Sequence, residues 1–267
     1  MTDRIGFIGA GNMAWAIVEG ILNKKVTDAA NLAVCNRTPV KCDRFAQRGV
    51  RVMGSIAELA HECDIVFLAV KPQNYAEVLR DLAAADGGRR LIVSIAAGIS
   101  TAYIRKCLGQ ACRVVRVMPN TPLLLGCGAT ALSRGLGVVD ADFDKIRAIF
   151  AAGGEVAVLP EDKMNAVIAV NGSSPAYVYL FVKAVMDGAV RQGIDAETAK
   201  TLICQTLVGS AAMVMHSGME PDELIRQVSS PGGTTLKALE ALEAHHFEQA
   251  VVDAMDRCTA RAEELGR

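Results

Sequence analysis

A short apolar run, Arg4-Ile5-Gly6-Phe7-Ile8, leads straight into Gly9-Ala10-Gly11-Asn12-Met13-Ala14, and the next eight residues, Trp15 to Leu22, are apolar at helical spacing. Only a strand that turns sharply into a helix satisfies all three segments. In a G-x-G-x-x-A turn of this kind the first glycine makes the tight bend, the second lets the backbone approach a diphosphate, and the small sixth residue lets the helix lie close on the strand. Such a run can also mean nothing more than a helix packed tightly on a strand. Here it sits at the first strand and opens a unit whose second strand ends near residue 36, the context that a dinucleotide site requires.

The rest of the first half repeats the same alternation. Strand signals fall at 31–36, 50–53, 64–70, 90–96 and 113–118, with helical stretches at about 39–47, 74–84 and 101–108 between most of them. A strand at 129–133, a helix at 141–152 and a strand at 155–159 close the series. This order predicts an α/β fold, an N-terminal Rossmann-type, doubly wound parallel sheet. From Asp162 onward the pattern is helical: 162–190 with an interruption at Pro175, then 195–217, 221–228, 234–244 and 246–265. The sequence therefore divides into a dinucleotide-binding domain, 1–160, and an all-α domain, 161–267. The run from Ala176 to Val190 is apolar around its whole circumference, so it needs a surrounding bundle or another subunit to cover it.

Composition narrows the partners. Lys and Arg number 28 against 29 Asp and Glu, with no long block of one sign, which argues against a nucleic-acid or membrane surface. The apolar runs, such as 65–70, fall well short of the roughly 20 residues that span a bilayer. With no secretory leader pattern at the N-terminus, a cytoplasmic location is expected. Eight cysteines show no C-x-x-C pair and no histidine at ligand spacing, so they read as reduced, small apolar residues and no metal site is expected.

The end of the second strand reports on the cofactor. An NAD site places Asp or Glu there to accept from the ribose 2′-hydroxyl, whereas this chain has Val34-Cys35-Asn36-Arg37-Thr38. Arg37 and Thr38 suit a 2′-phosphate instead, which favours NADPH while leaving NADH possible; arginine at a strand end can also be simply solvated. The segments Val70-Lys71-Pro72 and Ala96-Ala97-Gly98 end the next strands, where a dinucleotide crosses the sheet edge. Lys71 is equally well read as a solvated loop lysine.

A nicotinamide needs a hydride acceptor. Ketone reduction requires a proton donor, and the β-hydroxyacid dehydrogenases, which share this two-domain outline, place a lysine on the first helix of the second domain with an asparagine one turn later. Here the residue four after Lys163 is Val167. An imine makes a different demand, because a protonated C=N is neutralised by hydride and calls for orientation more than for an acid. The stretch Ser229-Ser230-Pro231-Gly232-Gly233-Thr234-Thr235 precedes a helix with leucines at 236, 239 and 242. Its small, hydroxylated and glycine residues leave the helix N-terminus open as a receptor for a carboxylate, although a Pro-Gly turn with an ordinary cap has the same composition.

Taken in order, Gly9–Ala14, Ala69-Val70-Lys71-Pro72, Met118-Pro119-Asn120-Thr121-Pro122, Gly172-Ser173-Ser174-Pro175-Ala176-Tyr177 and Val228–Thr235 resemble pyrroline-5-carboxylate reductase over essentially the whole chain. The resemblance implies NAD(P)H-dependent reduction of L-1-pyrroline-5-carboxylate to L-proline, the last step of proline biosynthesis. It implies that Ser230, Gly233, Thr234 and Thr235 hold the substrate, with the Thr235 hydroxyl on the imine nitrogen. It further implies that Ile8, Gly9, Ala10, Gly11, Asn12, Met13, Thr38, Ala69, Val70, Lys71 and Pro72 hold the dinucleotide and that Asn120 lies near its nicotinamide end. A homodimer through the C-terminal helices is implied, and in some members a larger ring of dimers. Three positions depart from the family pattern: Ser174 stands where a glycine is usual, Ile56 where many relatives have asparagine, and Gln227 where another polar residue is common. Reduction of another cyclic imino acid, β-hydroxyacid dehydrogenation and non-catalytic NADPH sensing are the alternatives.

Overall fold

The computed structural model describes residues 2–85 and 87–266. Eight strands form one sheet: β1 (Ile5–Ile8), β2 (Leu32–Cys35), β3 (Arg51–Val52), β4 (Ile65–Leu68), β5 (Leu91–Ser94), β6 (Arg113–Met118), β7 (Gly128–Arg134) and β8 (Gly154–Val158), in the order β3-β2-β1-β4-β5-β6-β7-β8. The order reverses between β1 and β4, and in a doubly wound sheet that reversal opens a crevice at the carboxyl ends of the strands.

The sheet is parallel except for one pair. β7 runs antiparallel to β6, with Met118 opposite Ala131, whereas an all-parallel sheet was expected from the alternating pattern. The reason is the connection: only a 3₁₀ segment, Thr121–Leu125, lies between β6 and β7, and a parallel return needs a longer crossover. A helix does separate β7 from β8, and those two strands are parallel.

Helices cover both faces. α1 (Asn12–Asn23), α2 (Asp43–Gln47) and α6 (Asp140–Ala151) bury Ile17, Ile21, Phe45, Ile146 and Phe150 against Phe7, Phe67, Val93 and Val117 of the sheet. Phe7 stacks on Phe67 with ring centroids 4.6 Å apart. On the other face α3 (Ile56–Glu62), α4 (Tyr75–Ala84) and α5 (Thr101–Leu108) bury Leu59, Leu79, Leu82 and Ile104 against Ile8, Val66, Leu68, Ile92 and Val114. Adjacent strand residues, such as Phe7 and Ile8, thus feed opposite layers. Helix α3 is too short for apolar periodicity to announce it. It is fixed by its start, where Ser55 Oγ accepts from the Glu58 N–H at 3.1 Å and Glu58 Oε2 accepts from the Gly54 N–H at 2.7 Å.

After β8 the chain is helical. A 3₁₀ turn at Glu161–Lys163 and a π-helical turn at Ile168–Gly172 precede α7 (Ser174–Arg191), α8 (Ala196–His216), α9 (Pro221–Gln227), α10 (Thr234–Ala244) and α11 (Phe247–Leu265). Two compact units are present: one holds the chain up to Pro175 together with residues from Met255 onward, and the other spans Ala176–Ala254. Within the second, α7 buries none of its residues, and Tyr179 and Leu180 are 61% and 69% exposed. Leu202, Val208 and Met215 of α8 are likewise open to solvent. Apolar exposure on this scale is typical of surfaces that proteins use for association. No helix of the described residues is long and apolar enough to cross a membrane, and no group of three or more potential metal ligands occurs among them.

Candidate active site

The two glycines after β1 are required for different reasons. Gly9 has φ +109, donates its N–H to the Cys35 carbonyl at 2.8 Å, and approaches β4 so closely that a Cβ would collide with the Ala69 carbonyl. The fold itself demands glycine there. Gly11 lies in ordinary extended backbone, φ −77 and ψ 179, and a Cβ on it would meet nothing within 4 Å. The chain has no internal need for this glycine, and the space above it is open. Gly11 also caps α1 without a side-chain hydrogen bond and without an acidic residue in the first turn. The first N–H groups of α1 are therefore open and the dipole uncompensated, as a diphosphate would require.

Two residues that sequence reasoning did not single out brace this turn. Asn36 Oδ1 accepts from the Ala10 N–H at 3.2 Å while its Nδ2 donates to the Thr38 carbonyl at 3.0 Å, tying the β1 and β2 loops together. A polar residue closing the apolar run of β2 was the available signal. Arg44 of α2 donates to the Ala10 carbonyl at 3.1 Å and to Asn12 Oδ1 at 3.4 Å, and its guanidinium lies 5.1 Å from the centre of the Trp15 ring. Nothing near Arg44 in sequence announces that contact.

Beyond the end of β2 lies a groove of about 590 Å³. Its floor includes Ile8, Gly9 and Cys35, and it is also lined by Arg37, Thr38 and Lys41 of the segment after β2 and by Glu77 and Asp81 of α4. Ile56, Val70 and Val78 add apolar surface suited to a flat ring. Burial pushes the Cys35 thiol up to about 11, so it is an uncharged part of the floor and no nucleophile. A neighbouring hollow of about 640 Å³ is lined by Ala10, Gly11, Asn12, Lys41 and Arg44. The residues read from sequence as dinucleotide contacts thus divide. Ile8, Gly9, Ala10, Gly11, Asn12, Arg37, Thr38 and Val70 line these hollows, whereas Met13, Lys71 and Pro72 line neither. Ala69 donates its N–H to the Ile8 carbonyl at 2.8 Å, holding the start of the loop.

Asn120 is buried and occupied by the protein. Its Oδ1 accepts from the Ala129 N–H at 2.9 Å and its Nδ2 donates to the Asn171 carbonyl at 3.2 Å. Asn171 in turn donates to the carbonyls of Met118 and Ala129 at 2.7 and 2.8 Å. The two asparagines staple the ends of β6 and β7 where the antiparallel ladder opens. Asn171 was legible only as a polar residue closing the apolar run Ile168-Ala169-Val170.

The lip at α10 is built locally. Pro231 and a positive-φ Gly232 (+73) form a type II turn in which the Gly233 N–H donates to the Ser230 carbonyl at 2.9 Å. A Cβ on Gly233 would come within 2.6 Å of Ser230 Oγ and 2.9 Å of the Ser230 carbonyl, so this residue too is fixed by packing. Gly233 caps α10 with no side-chain bond and no acid follows in the first turn. The hydroxyls of Ser230, Thr234 and Thr235 make no hydrogen bond to the described residues, while Ser229 Oγ donates to the Ile225 carbonyl and belongs to the end of α9. Backbone donors and free hydroxyls are thus gathered at one helix start. Lys163 contributes to neither place; it is exposed and pairs with Asp162 at 3.2 Å.

Two family profiles match the chain: one for an F420-dependent NADP oxidoreductase over residues 4–98, and one for pyrroline-5-carboxylate reductase dimerisation over residues 161–265. Over 268 aligned residues the chain is 37% identical to pyrroline-5-carboxylate reductase of Escherichia coli (strain K12), covering all of both chains. The chain belongs to the pyrroline-5-carboxylate reductase family. The pyrroline-5-carboxylate reductase of Pseudomonas aeruginosa is 39% identical, with 99% of this chain and 97% of that protein covered. Among solved structures, pyrroline carboxylate reductase of Plasmodium falciparum with NADP bound superposes with a TM-score of 0.93 at 31% identity, covering 99% and 98% of the two chains. Members of the pyrroline-5-carboxylate reductase family therefore share both the Rossmann-type sheet and the helical segment of this chain.

Proposed function

We infer that this chain catalyses the NAD(P)H-dependent reduction of L-1-pyrroline-5-carboxylate to L-proline, completing proline biosynthesis. The observation that carries this reading is the full-length likeness to curated pyrroline-5-carboxylate reductases, at 37% identity for the Escherichia coli protein. The open space at Gly11 and the uncapped start of α1 support a bound dinucleotide, and the relative from Plasmodium falciparum was solved with NADP. Arg37 and Thr38, on the wall of the groove at the end of β2, are the proposed readers of a 2′-phosphate, with NADPH preferred and NADH accepted. Asn120 acts through the β6–β7 staple, and Lys71 and Pro72 border the cofactor as loop residues.

The substrate reaches the enzyme with a carboxylate and a ring nitrogen. Ser230 and Thr234 offer hydroxyls, and the first turn of α10 after Gly233 offers its open N–H groups, to the carboxylate, where the helix dipole adds favourable charge. Bound at the first unit, a reduced nicotinamide supplies the hydride. A protonated imine becomes a neutral amine on reduction, so no oxyanion needs a donor, and the Thr235 hydroxyl has only to orient the nitrogen. The absence of a poised lysine acid fits that demand, since Lys163 faces solvent. The protein is a homo-oligomer, and the uncovered surface of α7 and α8 supports a dimer through the C-terminal helices in the cytoplasm.

Thr235→Ala is expected to lower kcat about tenfold with little change in KM for NADPH, the effect of one hydrogen bond to the reacting group. Thr235→Ser should restore most of the rate, because the hydroxyl and not the methyl group is required. Unchanged kinetics in the alanine variant would remove Thr235 from the mechanism. The function itself is tested by NADPH oxidation with pyrroline-5-carboxylate beside its six-membered-ring homologue. Equal or faster turnover of the larger ring would reassign the enzyme to another cyclic imino acid.

A further inference from the structure

We propose that Glu77 is a cofactor-selectivity residue: from α4 it supplies the carboxylate that the end of β2 lacks, and so makes a 2′-hydroxyl dinucleotide acceptable in a groove that otherwise suits a 2′-phosphate. The inference rests on reading that groove as the dinucleotide site. β2 ends in Cys35-Asn36-Arg37-Thr38, with no acid to accept from a ribose hydroxyl. The fold brings one in from elsewhere. Glu77 lines the same groove as Arg37, with Glu77 Oε2 3.7 Å from Arg37 Nη1.

This contact gives the groove two charge arrangements. A 2′-phosphate draws Arg37 toward itself, with Lys41 in the same groove, and leaves the carboxylates of Glu77 and Asp81 beside a dianion. A 2′-hydroxyl needs no cation; it donates to Glu77 while Arg37 keeps its partner. The exchange is easy because both side chains are well exposed, 80% for Arg37 and 52% for Glu77, and ion pairs of that kind contribute little by themselves. What differs between the two ligands is therefore the sign of their interaction with Glu77, attractive for a hydroxyl and repulsive for a phosphate.

The test is titration calorimetry of the purified oligomer with 2′,5′-ADP and with 5′-AMP, on the wild type, Glu77→Gln and Arg37→Ala. Glu77→Gln should tighten 2′,5′-ADP about three- to tenfold and weaken 5′-AMP about two- to threefold, and Arg37→Ala should weaken 2′,5′-ADP selectively. KM values for NADPH and NADH should move in the same opposed directions at nearly constant kcat. A general structural role would move both ligands the same way. Parallel shifts, or changes below about 1.5-fold for both ligands, overturn the role of Glu77. If the wild type binds 2′,5′-ADP and only the Glu77 variant is silent, the selectivity inference alone falls. If the wild type binds neither probe nor NADPH, the groove is not the dinucleotide site and both readings fall.

Discussion

Gly11→Val is expected to melt within about 2 °C of the parent protein and to bind NADPH about a hundredfold more weakly. The two effects separate because the backbone at Gly11 is already extended, a conformation valine adopts readily, and a Cβ there touches nothing within 4 Å. The entropy that glycine gives the unfolded chain is lost with valine, a gain of about 0.4–1 kcal/mol that roughly offsets the poorer helix cap. The loss of affinity arises in the space above the α1 start, which branched methyl groups would fill in place of a diphosphate oxygen. Calorimetric melting and fluorescence titration with NADPH measure the two halves. An unchanged Kd would mean that the diphosphate does not cross this turn. Gly9→Ala behaves differently, losing stability and binding together, since its positive φ and the Ala69 carbonyl leave no room for a side chain.

Glu161→Ala is expected to destabilise the chain by about 3 kcal/mol, read as a lower urea midpoint at unchanged slope. Arg116 of β6 is only 3% exposed, and burial holds its pKa below the usual arginine value while Glu161 pulls it back up. Its guanidinium has Asn165 Oδ1 at 2.5 Å and Glu161 Oε1 at 3.8 Å, and its Nε is buried without a partner. Loss of Glu161 leaves a buried cation with a neutral neighbour. The same carboxylate accepts from the Thr101 N–H at 2.6 Å and the Thr101 hydroxyl at 2.5 Å, so the start of α5 is loosened too. The effect stays at the lower end of the range for buried pairs because about a third of the Glu161 side chain is in water. Adding Arg116→Met to Glu161→Ala should recover about half of the loss, since the unpaired charge is then gone. A single-variant loss under about 0.5 kcal/mol would mean that Arg116 reaches solvent.

Local chemistry made much of this molecule legible. The Gly9-x-Gly11-x-x-Ala14 turn, the alternating strands and helices and the helical second half lead to the Rossmann-type sheet and the helical segment that the structure and its relatives share. The turn at Ser230–Gly233 was equally readable, because proline, two glycines and a leucine stripe determine a type II turn and a helix start without help from the rest of the chain. The direction of β7 was hidden, since apolar pattern carries no sign and only the length of the connection decides it. Arg44, Asn171 and Glu77 were hidden for a different reason. Each acts on residues more than thirty positions away in sequence, and their neighbours in the chain say nothing of the distant partner. Met13, Lys71 and Pro72 stand beside these motifs and line neither of the two hollows.

The bare apolar surface of α7 and α8 also shapes how the molecule comes into being. In the dimer proposed through these helices, a single newly made chain has no partner to cover Tyr179, Leu180, Val208 or Met215, and its last folding step is a collision with another copy. Refolding thereby acquires a second-order phase that slows on dilution, and the lifetime of the lone protomer becomes the interval in which aggregation competes.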